Sequence, residues 1–126
     1  LISFWKERSF TKDVLGDFNQ MIQDTENMFK SVCSLLIKGK TKEKLKETLY
    51  AVDKQVNELE RYIRKRVIEH LSIQPDIDVP FSLVLMSVVK DAERLGDYSK
   101  NLFEVWELLQ RPLVKDTYNK YFNNLD

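Results

Sequence analysis

The segment LKETLYAVDKQVNELERYI, residues 45–63, places Leu45, Leu49, Val52, Val56, Leu59 and Ile63 at alternating steps of four and three. That spacing gathers apolar side chains on one stripe of a 3.6-residue helix; a strand, whose faces alternate every second residue, would scatter them. The same rhythm runs on both sides of the segment. Upstream it is kept by Leu15, Phe18, Ile22, Thr25, Phe29, Val32 and Leu36, with Val14, Met21, Met28 and Leu35 widening the stripe. Downstream it is kept by Phe81, Leu85, Val88, Ala92, Leu95, Ser99, Leu102, Trp106 and Leu109.

Punctuation is sparse: three glycines, three prolines and no Asn-Gly or Asp-Gly hairpin signal, so strands find no turns to join them. Lys38-Gly39-Lys40 suits a helix carboxyl end, and Thr41 can cap the helix that follows. Residues 73–79 hold Pro75, Asp76 and Asp78 and read as a loop, after which Pro80 suits a first helical turn. Pro112 ends or kinks the third block. The spacing predicts helices over about 11–38, 41–72, 80–110 and 113–124. Short connections make neighbours antiparallel, so the expected fold is all-α, an up-down-up three-helix bundle with a short carboxyl-terminal helix.

At 126 residues the chain is one domain, and chains of that size bury about two thirds of their unfolded surface without needing a disulfide or metal. Twenty basic and twenty acidic residues cancel, which removes the electrostatic footprint of a nucleic-acid-binding protein. The single cysteine, Cys33, cannot make an internal disulfide, which fits a reducing compartment such as the cytosol. No apolar stretch approaches a membrane span, and the amino end lacks a signal peptide's layout. The chain opens on Leu1 rather than Met, as a segment of something longer would.

One run departs from what folding alone would choose. In KDAERLGDYSKNL, residues 90–102, Glu93 and Asp97 form a like-charge i,i+4 pair around Gly96. The pair weakens a helix by about 0.2–0.5 kcal/mol and a mid-helix glycine by about 1 kcal/mol. Either a neighbouring helix needs the glycine's small profile, or a cation sits over the oxygens. On helical wheels Asp53, Asn57 and Glu60 share one line of the second helix, a quarter turn from its stripe, and are expected to flank the core. Glu93 and Asp97 fall well off the third helix's stripe and are expected to face solvent or a partner. Oxygen donors from two adjacent helices suit a hard cation. The plainer account is a solvated face, with Lys90, Arg94 and Lys100 each three residues from an acid and softening the repulsion.

Other features point to structure before chemistry. Arg61, Arg64, Lys65 and Arg66 are a basic run near a helix carboxyl end, where cations are favoured. His70 has no second histidine and no Glu-x-x-His motif, so a di-iron oxidase lacks its ligands. Nothing in the spacing pairs Cys33 with His70 as nucleophile and base, and Cys33 is expected in the packed core. Leu83, Met86 and Leu108 lie off the stripe as a second apolar strip, for a dimer or inter-repeat contact or for the terminal helix.

The pair of motifs resembles the PhoU family. The first is Asp53-Lys-Gln-Val-Asn57-Glu-Leu-Glu60 and the second Asp91-Ala-Glu93-Arg-Leu-Gly96-Asp97-Tyr-Ser-Lys-Asn101, and the likeness spans residues 14–106. The family's three-helix repeats carry acidic-x-x-x-Asp motifs and an Asp-x-Glu-Arg-x-Gly-Asp-x-x-x-Asn core in the later helix. Two departures stand out: Asn57 replaces the usual aspartate, and one repeat is present where the family commonly has two. The resemblance implies a PhoU/spectrin-repeat-like bundle and a non-enzymatic cytoplasmic adaptor at the inner face of the membrane. Such an adaptor couples a phosphate transporter to a sensor kinase and pairs with a second repeat or as a homodimer. It also implies a metal site for iron, zinc, manganese or magnesium, with Asp53, Glu93 and Asp97 as ligands and Asn57 as a weaker neutral one. The alternative is a helical protein–protein interaction module without metal.

Overall fold

The computed structural model describes residues 2–39, 44–74 and 78–109, with side chains from Ser9 onward. Three helices pack pairwise as an up-down-up bundle: α1 (Ile2–Lys38), α2 (Leu45–Ile73) and α3 (Val79–Leu109). No strand occurs among the described residues. The first helix begins nine residues earlier than its apolar stripe predicts. The predicted Thr41 cap and the helix over 113–124 lie outside the described residues.

Helix ends follow local chemistry. Gly39 adopts φ +66°, the left-handed conformation that costs a glycine nothing, and its N–H donates to Leu35 O at 2.8 Å, closing α1. The N–H of Gln74 closes α2 by donating to His70 O at 2.9 Å. Asp78 takes φ +63° ahead of α3 and accepts the Ser82 N–H at 2.8 Å, while Pro80 occupies the first turn, where its missing donor is not needed.

The bundle axis is lined by one seven-residue rhythm from each helix. From α1 come Val14, Met21, Thr25, Met28, Val32 and Leu35; from α2, Leu49, Asp53, Val56, Glu60, Ile63 and Val67. The third row is Ser82, Leu85, Val89, Ala92, Gly96, Ser99 and Phe103. This corrects the predicted stripes. Leu15, Phe29 and Leu36 are exposed and their neighbours Val14, Met28 and Leu35 are buried; on α3, Leu95 is 52 % exposed while Gly96 is buried. Two adjacent rows share the three-four rhythm on such helices, and a wheel cannot say which one faces two partners at once. Small residues decide it here. A Cβ built on Gly96 would meet Thr25 Cγ2 at 3.5 Å, Met28 Sδ at 3.8 Å and Val56 Cγ1 at 3.8 Å, so α1 and α2 both close against α3 at this level. A leucine in that place would hold them apart.

The core falls into two clusters. One holds Phe10, Val14, Met21, Val56, Ile63, Val67, Leu85, Val89 and Ala92; the other holds Met28, Val32, Leu35, Leu49 and Phe103. In each helix the residues between them along the chain are small or polar: Thr25, Asp53, Gly96 and Ser99. Both hydroxyls turn back onto their own helices, Thr25 donating to Ile22 O at 3.1 Å and Ser99 to Leu95 O at 2.9 Å. The Asp53 carboxylate has no proton to give to its own helix in this way and accepts instead from Lys100 Nζ of α3 at 3.5 Å.

Candidate functional site

Centring α3 on Gly96 puts Glu93 about 60° and Asp97 about 100° to the same side, with Lys100 at about 40° and Lys90 at about 120°. On α2, centred on Val56, Asp53, Asn57 and Glu60 likewise fall on one flank, about 40° to 100° away. These two flanks face each other. Contacts run across the helix pair along its length: Lys46 to Glu107 Oε1 at 3.2 Å, Tyr50 O–H donating to Glu104 Oε1 at 2.8 Å, Lys100 Nζ to Asp53 Oδ2 at 3.5 Å, and Lys90 Nζ to Glu60 Oε1 at 3.9 Å.

Two expectations are corrected by this register. Asp53 and Glu60 do not merely flank the core but stand in the buried row itself, at 8 % and 6 % exposure. Glu93 and Asp97 do not face open solvent; both are half-buried against α2, the Glu93 side chain only 14 % exposed. Each helix turns a different row to the axis from the one expected: on α2 the row through Asp53, Val56 and Glu60, and on α3 the row through Gly96 rather than Leu95.

The carboxylates share one field. Burial holds the Asp97 carboxyl above its ordinary value, and the negative charges of Glu93 and then Asp53 add to that effect. Asp97 pairs with no cation among the described residues, whereas Asp53 is met by Lys100, Glu93 by Lys90 and Glu60 by Arg64. Contact with Glu93, and then the charge of Glu60, holds the Lys90 ammonium above its usual range. The Tyr50 phenol is also held up, first by its bond to Glu104. Asn57 lies half-buried on the same flank. Among the described residues no three histidine, cysteine, aspartate or glutamate side chains are gathered closely enough to hold a metal ion as they stand.

As a donor set the groove is all oxygen, which suits hard cations and excludes soft, sulfur-preferring ones. Spacing along a single helix singled out Asp53, Asn57, Glu93 and Asp97 and placed Lys90 beside Glu93, where it does sit, but it did not reveal the partner of Lys100. Lys100, expected to soften an acid of its own helix, instead crosses to Asp53 and lies over the Tyr50 ring at 5.4 Å, a pairing visible only once α2 and α3 are in register.

The remaining residues are structural. His70 stacks on Phe10 with ring centroids 3.9 Å apart, and its Nε2 lies 3.3 Å from Asp78 Oδ2, tying α1, α2 and the start of α3. Much of the basic run is committed: Arg64 to Glu60, Lys65 to Glu69 at 3.9 Å, and Arg66 to Asp13 of α1 at 3.1 Å. Cys33 is half-buried rather than fully inside the core. Met86 packs on the first cluster, leaving Leu83 and Leu108 exposed. Among the described residues no helix is long and apolar enough to cross a membrane.

Compared with known proteins, residues 18–105 match the family model described as the PhoU domain, a stretch that takes in most of α1, all of α2 and most of α3. No curated protein and no solved structure matches the chain.

Proposed function

The chain belongs to the PhoU family of phosphate-homeostasis regulators, and on that premise we propose that it is a non-enzymatic adaptor controlling phosphate uptake and phosphate-responsive signalling. Its partners in this reading are a phosphate transporter and a sensor kinase, met in the cytoplasm at the inner face of the membrane. A second copy, or a second repeat, completes the assembly. The observation that carries the proposal is the family match over residues 18–105, which includes both acidic motifs.

In this reading Asp53, Glu93 and Asp97, with the Asn57 amide as a neutral fourth donor, hold a divalent or trivalent ion such as iron, zinc, manganese or magnesium. The ion supplies charge: it neutralises the groove and changes which partner surface the groove accepts. Asp53 and Glu93 orient donors from opposite helices, and the buried position of Asp53 excludes water from one side of the groove. The hard oxygen donors support this assignment.

A second reading, a metal-free helical interaction module, is favoured by the ammonium groups already seated on Asp53 and Glu93 and by the lack of three gathered ligands among the described residues. The experiment is deletion and complementation in the native host. Loss of this protein is expected to derepress a phosphate-responsive reporter and raise phosphate uptake, with wild type restoring both and Glu93→Ala/Asp97→Ala restoring neither. An unchanged reporter and uptake on deletion refute the regulatory role. Complementation by the double variant refutes the metal assignment and leaves the interaction module.

A further inference from the structure

Beside the axial rows runs a second apolar repeat. On α1, Leu15, Ile22, Phe29 and Leu36 recur every seventh residue, and on α3, Val88, Leu95 and Leu102 do the same. Asp13 of α1, which meets Arg66, and Lys100 of α3, which meets Asp53, mark the flank that each helix turns to α2. At about 100° per residue both repeats fall on the opposite flank, so the two parallel helices α1 and α3 carry them side by side. Ile22, Val88 and Leu102 are partly buried and pack on the core clusters as a floor. Above it Leu15 is 42 % exposed, Phe29 52 %, Leu36 41 % and Leu95 52 %. Ion pairs cross the other two grooves, Lys100 to Asp53 and Lys90 to Glu60 on one and Arg66 to Asp13 on the other; among the described residues none crosses α1 to α3. The charges at the edges of this face cancel in place, Lys30 against Glu26 at 2.7 Å and Arg94 against Asp91 at 3.4 Å.

We propose that the α1–α3 face is where a second copy of this chain docks, its own α1–α3 face turned over by a two-fold axis to make a four-helix seam. Single exposed leucines need no explanation, but a seven-residue apolar repeat on two neighbouring helices is the pattern that interlocks with further helices. A two-fold brings identical repeats together, and a face whose edge charges are already cancelled meets itself without like-charge repulsion. From Leu15 to Leu36 the face is about 32 Å long, and two packed helices make it about 20 Å wide, roughly 600 Å² in plan. Accessible area exceeds area in plan, so this is the size that a standard interface takes from each partner, about 800 Å². A lipid surface is the poorer match, because it rewards surplus lysine and arginine at the rim, and here Lys30 and Arg94 each stand against an acid of their own helix. The proposal builds on the second copy named in the reading above and fixes where that copy sits; the metal and the phosphate role do not enter. It also moves the contact away from the strip of Leu83 and Leu108, which lies on the other flank of α3.

The test is sedimentation equilibrium of the 126-residue chain over about a hundredfold range of concentration, with circular dichroism to check helix content. Wild type is expected at twice its 15.0 kDa mass at the upper end. Phe29→Asp and Leu95→Asp each put an unpaired charge into the seam and should each weaken the dimer about thirtyfold or more, with the double variant monomeric throughout. If either aspartate lowers helix content, Phe29→Gln and Leu95→Gln make the same comparison. Leu83→Asp, at a site 65 % exposed on the other flank, should leave the dimer intact. Wild type that stays monomeric at every concentration overturns the proposal. So does a dimer that survives the Phe29 and Leu95 variants, or one that Leu83→Asp alone dissociates. Flotation of wild type with vesicles of phosphatidylcholine and phosphatidylserine, lost in Leu95→Asp, overturns it in favour of a membrane. None of these outcomes depends on the phosphate-responsive reporter, so failure here and failure of the regulatory role are read separately.

Discussion

Gly96→Ala is expected to stabilise the protein, against the usual presumption that a buried glycine at a helix crossing is indispensable. The new Cβ would lie 3.5 Å from Thr25 Cγ2 and 3.8 Å from both Met28 Sδ and Val56 Cγ1, all ordinary van der Waals separations. Nothing needs to move. Alanine gains about 1 kcal/mol of helix propensity over glycine at an interior position. Burying one further carbon adds up to about 0.8 kcal/mol. The expected gain is therefore about 1–2 kcal/mol, which for a domain of this size raises Tm by about 3–8 °C. Urea unfolding followed by far-ultraviolet circular dichroism should show a higher midpoint with an unchanged slope. Gly96→Leu supplies the contrast: its branches must enter space already filled by three neighbours at contact distance, and overpacking of that kind costs about 1–3 kcal/mol or more. A destabilised Gly96→Ala refutes the reasoning, because it would mean that the three helices approach more closely at this level than those separations allow.

Three other outcomes follow from the groove and its surroundings. A carboxyl held above its ordinary value of 3.8 in the native state keeps its proton longer than the unfolded chain does, so Asp97 lends stability below that pH and loses it as pH rises through the raised value. Asp97→Asn should therefore melt above wild type at about pH 7, with the gap closing as the pH falls toward 3.8; a gap independent of pH would contradict this. Asp53→Leu places an apolar side chain between the two core clusters and leaves Lys100 free to reach water, so stability should hold or rise by about 1–4 kcal/mol in chemical denaturation. A loss there would show that the ion pair contributes more than packing can replace. His70→Ala removes the stack on Phe10 and the contact with Asp78, at a cost of about 2 kcal/mol in the same assay; a change within about 0.5 kcal/mol would show that the tie between α1 and α3 is dispensable.

Helix content, the order of the three helices and the places where two of them turn were legible because each rests on local chemistry. The three-four rhythm needs only its own helix, Gly39 needs only its own φ, and Pro80 only the lack of an N–H. The family likeness was legible for the same reason, since acidic residues at i and i+4 are a one-helix pattern, and the match over residues 18–105 bears it out. The axial row was less accessible. Leu95 and Gly96 are neighbours in sequence, and hydrophobicity favours the leucine; the glycine takes the axis because α1 and α2 must both fit there.

Periodicity by itself determined that this protein is a bundle of long helices with acids along α2 and α3, because side-chain direction on a helix is fixed by residue number. Tertiary structure alone decided that Asp53 and Glu60 are buried, that Glu93 and Asp97 face α2, and that Lys100 rests on Asp53. Those facts depend on the rotation and offset of one helix against another. Such quantities are set by which side chains are small enough to let two neighbours approach together, and a single helix carries no record of them.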